Sequence, residues 1–288
     1  MIDSALPNSI AAFKAARVSA GRVEGLQERA AVEVPFELRI NGRSHTLLMV
    51  SPVLVEELAL GMCLSEGLVS GLAEVQAVEL GQGQVSGLGA VLWANVVLPA
   101  EVARRARVRR VAPAATSCGL CGLESLGELR TPRTPVGGEG LRVEMEALFA
   151  LFAAMEAGQE IFAATGGTHA AGLGTPRGEL LWLAEDVGRH NALDKVIGLA
   201  LKAGQDLVGC VAALSGRLSY EMALKSARAG IPLVASVSAP TSLGLELMQK
   251  LNITLVGFLR GSRATVYTHP RRVCLHGHPL QGLASLEA

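Results

Sequence analysis

The chain has 288 residues, enough for one large domain or two smaller ones with substantial cores. Half of the residues are hydrophobic but only 3% are aromatic, so Leu, Val, Ile and Ala must build those cores. The 26 basic and 26 acidic residues cancel, which argues against a protein that coats nucleic acid, and no apolar run reaches membrane-spanning length.

In chain order, Met1-Ile-Asp-Ser-Ala-Leu-Pro7 has neither the basic start nor the apolar stretch of a secretory signal, so the cytoplasm is the expected compartment. There the five cysteines, at 63, 118, 121, 210 and 274, are expected as thiols, which favours a reactive or metal-binding pair over a structural disulfide. A short Ala-rich helix is expected near Ile10–Ala20. Two extended runs, Val32–Ile40 and Ser44–Val50, flank Asn41-Gly42, a tight-hairpin signal. Ser51-Pro52 reads as a helix start, Ser51 capping and Pro52 in the first turn, with Leu54, Leu58 and Met62 on one face and Gly67 as the stop. Cys63 inside that helix reads as a packed core thiol.

Residues 74–98 suggest two strands around the Gly-rich turn Gly81–Gly89. Arg104-Arg-Ala-Arg-Val-Arg-Arg110 follows, either a solvated helix face or an electropositive collar that favours thiolate and attracts an anion. Next comes Thr116-Ser-Cys-Gly-Leu-Cys-Gly122, whose thiols Cys118 and Cys121 can share a metal, form a disulfide or pass a sulfur atom between them. Arg130–Gly140, dense in Pro and Gly, is the best linker candidate. The expected division is a smaller β-rich region over 1–140, an α/β domain over 141–270 and an irregular tail over 271–288.

The second half alternates. Helices are expected over Val143–Glu156, His190–Ala203, Leu218–Gly230 and Thr241–Leu251, with Ile161–Ala164 leading into Thr165-Gly-Gly-Thr-His169. Strands are expected over Glu179–Ala184, Leu207–Leu214, Leu233–Val237, Ile253–Phe258 and Ala264–Tyr267. Apolar strands alternating with helices predict an α/β fold with a mixed sheet and flanking helices.

Three loops share one design, a strand running out into small or polar residues that begin a helix: Glu185–Asn191, Ser215–Ser219 and Ser238–Ser242. Ligands of such sheets bind beyond the strands' carboxyl ends, and Arg189, Arg217, Arg260, Arg263 and the serines suit phosphate. Glu185, Asp186, His190, Asp194 and Lys195 crowd titratable groups together, which also fits a helix N-terminus with a His190–Asp194 pair one turn apart. His169 is either a general base or a histidine satisfied by its loop. A structural metal needs four ligands, and Cys274, His276 and His278 lie too far along the chain for a compact zinc ribbon. No resident metal is expected.

With these pieces in order, the sequence resembles the formate dehydrogenase accessory sulfurtransferases. The resemblance runs from about residue 32 to 270 through Asn41-Gly42, Ser51-Pro52, Leu58–Gly67, Ser117-Cys-Gly-Leu-Cys-Gly122, Gly167-Thr-His-Ala170, Glu185–Lys195, Ser219-Tyr-Glu-Met222 with Lys225-Ser226, and Leu255–His269. It implies a homodimeric cytoplasmic protein that takes sulfur as a persulfide from a cysteine desulfurase. The sulfur would go to the molybdenum cofactor, bound as a substrate in its bis-guanine-dinucleotide form and destined for formate dehydrogenase. By motif position Cys118 would carry the persulfide and Cys121 would assist. The turn Phe258-Leu259-Arg260-Gly261-Ser262-Arg263 would bind the cofactor, with Arg189, His190, Ser215, Arg217 and Ser219 on the neighbouring loops. The resemblance also implies a cytidine-deaminase-like larger domain beside a smaller β-rich N-terminal one. The other readings are a cofactor-binding chaperone without catalysis and a zinc-dependent, deaminase-like hydrolase. The missing His-x-Glu partner motif counts against the last.

Overall fold

The computed structural model describes residues 9–85, 89–107 and 134–281. The chain opens with an antiparallel hairpin of β1 (Ile10–Ser19) and β2 (Arg22–Ala31). A helix was expected here from the alanines. The turn decides otherwise: Ala20 and Gly21 both take positive φ, at 47° and 80°, and Val18 faces Val23 across it. β3 (Val34–Ile40) and β4 (Arg43–Val50) follow as expected, turning through Asn41 and Gly42 at φ 49° and 76°. The Asn41 side chain then reaches 57 residues ahead, donating to the Leu98 carbonyl and accepting its N–H.

Helix α1 (Val55–Ser65) starts later than Ser51-Pro52 suggested, after Leu54 in the left-handed region at φ 55°. Ser51 caps nothing. Its hydroxyl accepts from Val187 N–H, and its main-chain N–H and carbonyl bind the side chains of Asp186 and Lys195. β5 (Ala77–Val85) and β6 (Gly89–Val97) complete a four-stranded sheet in the order β4-β3-β6-β5, and α2 (Ala100–Arg107) follows.

After residue 133 come β7 (Val143–Glu144), α3 (Met145–Ala157) and α4 (Glu160–Thr165). Then follow β8 (His169–Gly174), β9 (Leu180–Asp186), α5 (Arg189–Lys202), β10 (Val211–Leu214), α6 (Tyr220–Arg228), β11 (Leu233–Ser236) and α7 (Ser242–Lys250). Strand β8 was missed in the sequence, and Ile161–Ala164 is helical. β12 (Thr254–Arg260), β13 (Arg263–Thr268), β14 (Val273–Leu275) and β15 (His278–Pro279) are the last elements among the described residues. The mixed α/β fold is therefore as expected, but residues 270–281 are not irregular: β14 runs parallel to β7, pairing Val273 with Val143. Strands this short carry no periodicity to read. Residues 134–140, within the most linker-like stretch, are strapped to the body. Arg272, fully buried, donates to the carbonyls of Gly137 and Gly138, and Val136 N–H donates to Leu251.

The main sheet has the order β13-β12-β11-β10-β8-β9, with β10, β11 and β12 parallel. Alternate residues of its central strands enter two different cores. Ala212, Leu214 and Val234 join a cluster with α1, α5, α6, α7 and the inner face of the four-stranded sheet. Val211, Ala213, Leu233 and Ala235 join the second, against Leu148, Leu151, Phe152 and Met155 of α3. The layers are thus sheet, helices, sheet, helix. Among the described residues no helix is long and apolar enough to cross a membrane.

The middle helix layer depends on two glycines. A Cβ on Gly61 of α1 would stand 1.7 Å from the Asp194 carbonyl oxygen of α5, and one on Gly198 of α5 would stand 1.9 Å from the Glu57 carbonyl oxygen. Both obstacles are backbone, which cannot turn aside. Gly61→Ala is expected to cost about 3 kcal/mol, the upper end for overpacking, read as a lower urea midpoint at unchanged slope.

Candidate functional site

β9 is antiparallel to β8, and β8 to β10, so β9, β10, β11 and β12 all run the same way. Their carboxyl ends, at Asp186, Leu214, Ser236 and Arg260, lie on one edge together with the start of β8 at His169. A cleft of about 780 Å³ opens there between that edge and α3–α4, within the ~300–1,000 Å³ usual for small-molecule sites. Thr168, His169, Ser215, Arg260 and the glycines at 166, 167 and 261 give it polar and open surface, and Phe149, Phe152 and Phe162 form an aromatic wall. Ala31 at the foot of the N-terminal hairpin comes against Gly167 at its rim.

Each polar wall is held from behind. The Ser215 hydroxyl accepts the Ala170 N–H at 2.9 Å and lies 3.2 Å from His169 Nδ1. Gly216 is bare because Arg189 and His169 fill the place of its side chain: a Cβ there would be 2.9 Å from Arg189 Cδ and 3.5 Å from His169 Nδ1. Burial, followed by the Arg189 charge, depresses His169 below its ordinary value, and Asp186 offsets this in part. The imidazole is neutral at physiological pH.

Behind Arg189, His190 Nε2 lies 3.1 Å from Glu221 Oε2 but off the hydrogen-bonding direction. Burial first, then the charges of Arg189 and Lys225, bring His190 down to about 3, while burial raises Glu221. The contact is accordingly not a strong ion pair. His190 does not pair with Asp194, as its position one turn away had suggested. Asp194 instead accepts from Lys225 at 2.8 Å and from Ser65 at 2.6 Å. The two acids of Glu185-Asp186 also part company. Glu185 caps α4, accepting from the N–H groups of Ile161 and Phe162 and from the Thr168 hydroxyl. Asp186 forms a fully buried pair with Lys195 at 2.6 Å.

Of the other residues singled out in the sequence, Arg260 donates through Nε to the Val237 carbonyl at 3.0 Å, tying the end of β12 to that of β11. Leu259 is buried in the cleft wall. Phe258 takes φ +51° at a bulge where pairing skips from Gly257 to Arg260, and with Ser262 and Arg263 it lines an adjoining hollow of about 670 Å³. Arg217 is exposed. Ser219 precedes α6 with its hydroxyl buried and without a partner among the described residues. Sequence reasoning quoted Gly166, Gly167 and Thr168 without assigning them to the ligand site, did not single out the aromatic wall, and left His169 undecided. The Gly-Gly-Thr-His run was the available signal.

Cys118 and Cys121 lie outside the described residues. Of the arginine run, Arg104 and Arg105 are exposed and paired with Glu101 and Glu74, each at 2.6 Å. Cys63, Cys210 and Cys274 are buried, and burial pushes all three thiols up. His276 and His278 are exposed beside the buried Cys274, and among the described residues no three His, Cys, Asp or Glu side chains stand close enough to share a metal.

The chain is matched over residues 31–274 by the model of the FdhD/NarQ family. The sulfur carrier protein FdhD of Bordetella parapertussis is 39% identical over 264 residues, 91% of this chain and 94% of that protein. That of Xanthomonas campestris pv. campestris is 39% identical over 255 residues, 88% and 89% of the two chains. A crystal structure from Desulfotalea psychrophila, described as a formate dehydrogenase accessory protein, superposes with a TM-score of 0.71 at 26% identity. It covers 93% of this chain and 100% of that one.

Proposed function

The chain belongs to the FdhD/NarQ family, and on that basis we propose that it is a sulfur carrier in the maturation of formate dehydrogenase. Cys118 takes the outer sulfur of a cysteine desulfurase persulfide. The sulfur then passes to the molybdenum cofactor in its bis-guanine-dinucleotide form, and the working unit is a homodimer in the cytoplasm. The observation that carries this reading is the distribution of thiols. The family match spans Cys118 and Cys121, while the other three cysteines are buried and made poor nucleophiles by burial.

The cofactor enters as a substrate. The cleft at the strand ends suits one guanine nucleotide of it: an aromatic wall for a planar ring, open glycine turns, and Arg260 at the rim. The remaining part of the cofactor is left toward solvent, open to a sulfur-carrying thiol. Cys121 accepts the sulfur from Cys118 by attack of its thiolate on the outer sulfur of Cys118–S–SH. A new persulfide forms on Cys121 and Cys118 leaves as thiolate.

The direct test is intact mass of the reduced protein after incubation with a cysteine desulfurase and cysteine. A gain of one sulfur supports a carrier. No gain with an active desulfurase, together with retained binding of guanosine diphosphate, moves the assignment to a chaperone that binds cofactor without carrying sulfur. For the cleft, Arg260→Ala is expected to weaken guanosine diphosphate binding about tenfold by calorimetry, the effect of losing one charge-assisted hydrogen bond at a partly solvated rim. Arg260→Lys keeps the charge but not the strap to Val237, and should fall between.

A further inference from the structure

We propose that His169 is the cleft's hydrogen-bond donor to the nucleotide, an imidazole that Ser215 holds in the tautomer offering Nε2–H to an acceptor oxygen of the ligand. Ser215 sets the tautomer. Its main-chain N–H continues the sheet ladder by donating to Ala170, and its hydroxyl oxygen receives the Ala170 N–H in return. That leaves the hydroxyl with one proton to give. Among the described residues its only further neighbour in hydrogen-bonding range is His169 Nδ1, at 3.2 Å. Giving that proton to Nδ1 makes Nδ1 the acceptor and pairs every polar atom of the two side chains that faces the protein. An imidazole whose Nδ1 accepts carries its single proton on Nε2. His169 lines the cleft, and the nitrogen left for a ligand is a donor.

This decides between the readings that the sequence left open. A general base needs a free lone pair, and the nitrogen that has one is already engaged by Ser215. The charges around the ring act in the same sense. Arg189 from α5 stands against it over bare Gly216. Asp186 of β9, the opposing charge, is neutralised by Lys195. A second positive charge on His169 would sit beside Arg189 in a half-buried place. The pocket thus presents fixed charge from arginine and a neutral, directional donor from histidine. Such a pair distinguishes an oxygen acceptor from an amino group at the same position.

The inference rests on the cofactor-binding reading, and the test separates the two. NMR of isotope-labelled imidazole nitrogens in the full chain reads the tautomer without any ligand. The expected signal for His169 is a neutral ring protonated on Nε2, unchanged between about pH 7 and pH 8. Guanosine diphosphate should shift the Nε2 resonance. His169→Ala should raise the Kd about tenfold, and His169→Gln, whose amide supplies an N–H in the same region, should recover most of that. Ser215→Ala should give mixed tautomers and an intermediate Kd. A ring protonated on Nδ1, a charged ring near pH 7, or an unchanged Kd in both His169 variants overturns the assignment. Should the alanine variant fail to fold, the glutamine variant and the wild-type tautomer decide it. Wild-type protein that takes up no guanosine diphosphate brings down the cofactor reading. Normal wild-type binding that ignores His169 leaves that reading standing and removes only the histidine.

Discussion

Cys118→Ala is expected to abolish sulfur loading while the protein stays folded. Loading is a displacement in which a thiolate attacks the outer sulfur of the donor persulfide, the new S–S bond forms, and the donor cysteine leaves as thiolate. Alanine offers no nucleophile, and the other described thiols offer no substitute. Cys63, Cys210 and Cys274 are 0%, 1% and 4% exposed, and burial pushes each of them away from thiolate. Intact mass should show one added sulfur in the wild type and in Cys121→Ala, and none in Cys118→Ala. A gain lost only in Cys121→Ala would reverse the two roles. Cys121→Ala should load but deliver less to the cofactor. Undiminished delivery would count against the relay step and leave Cys118 as the sole carrier.

The largest expected effect on stability comes from Asp186→Ala. Asp186 and Lys195 are both fully buried, and every polar atom of the pair is engaged. The carboxylate accepts from Ser51 N–H, Gly188 N–H and the Asn191 side chain. The ammonium donates to the carboxylate and to the carbonyls of Ser51 and Glu185. Such a pair adds little net stability over an apolar one of the same shape, but removing one partner strands the other. Burial already depresses Lys195, with the Asp186 charge as the main opposing influence. Without it, the ammonium must lose its proton or draw in water. The expected cost is about 3–5 kcal/mol by urea denaturation. The double variant Asp186→Ala with Lys195→Met should recover much of it, because no uncompensated charge remains. A cost below about 1 kcal/mol for the single change would show that water reaches the site. The pair also ties the exit of β4 to the end of β9, so the variant should loosen the cleft as well as the core.

Where local chemistry was sufficient, the sequence read true. Asn41-Gly42 makes its hairpin because few other dipeptides take two positive φ angles cheaply. The central strands were legible because two faces needed covering, and α5, α6 and α7 because their starts follow a strand run-out. The resemblance drawn from scattered motifs agrees with the family that matches residues 31–274. What failed was whatever depended on a partner distant in the chain. The alanines of Ile10–Ser19 favour a helix in isolation, and only pairing with Arg22–Ala31 makes them a strand. Ser51 looked like a cap because serine so often is one, whereas its groups belong to Asp186, Lys195 and Val187, about 135 residues on. The titratable cluster could be seen in the sequence but not sorted. Glu185 caps α4, Asp186 binds Lys195, Asp194 binds Lys225, and His190 stands against Glu221, each by a contact that spacing does not encode. The residue types needed for the chemistry were thus determined by the sequence alone. Which of them face the cleft, and in which protonation state, was decided by packing, because burial and the nearest charge set a proton's position and both exist only once the chain has folded.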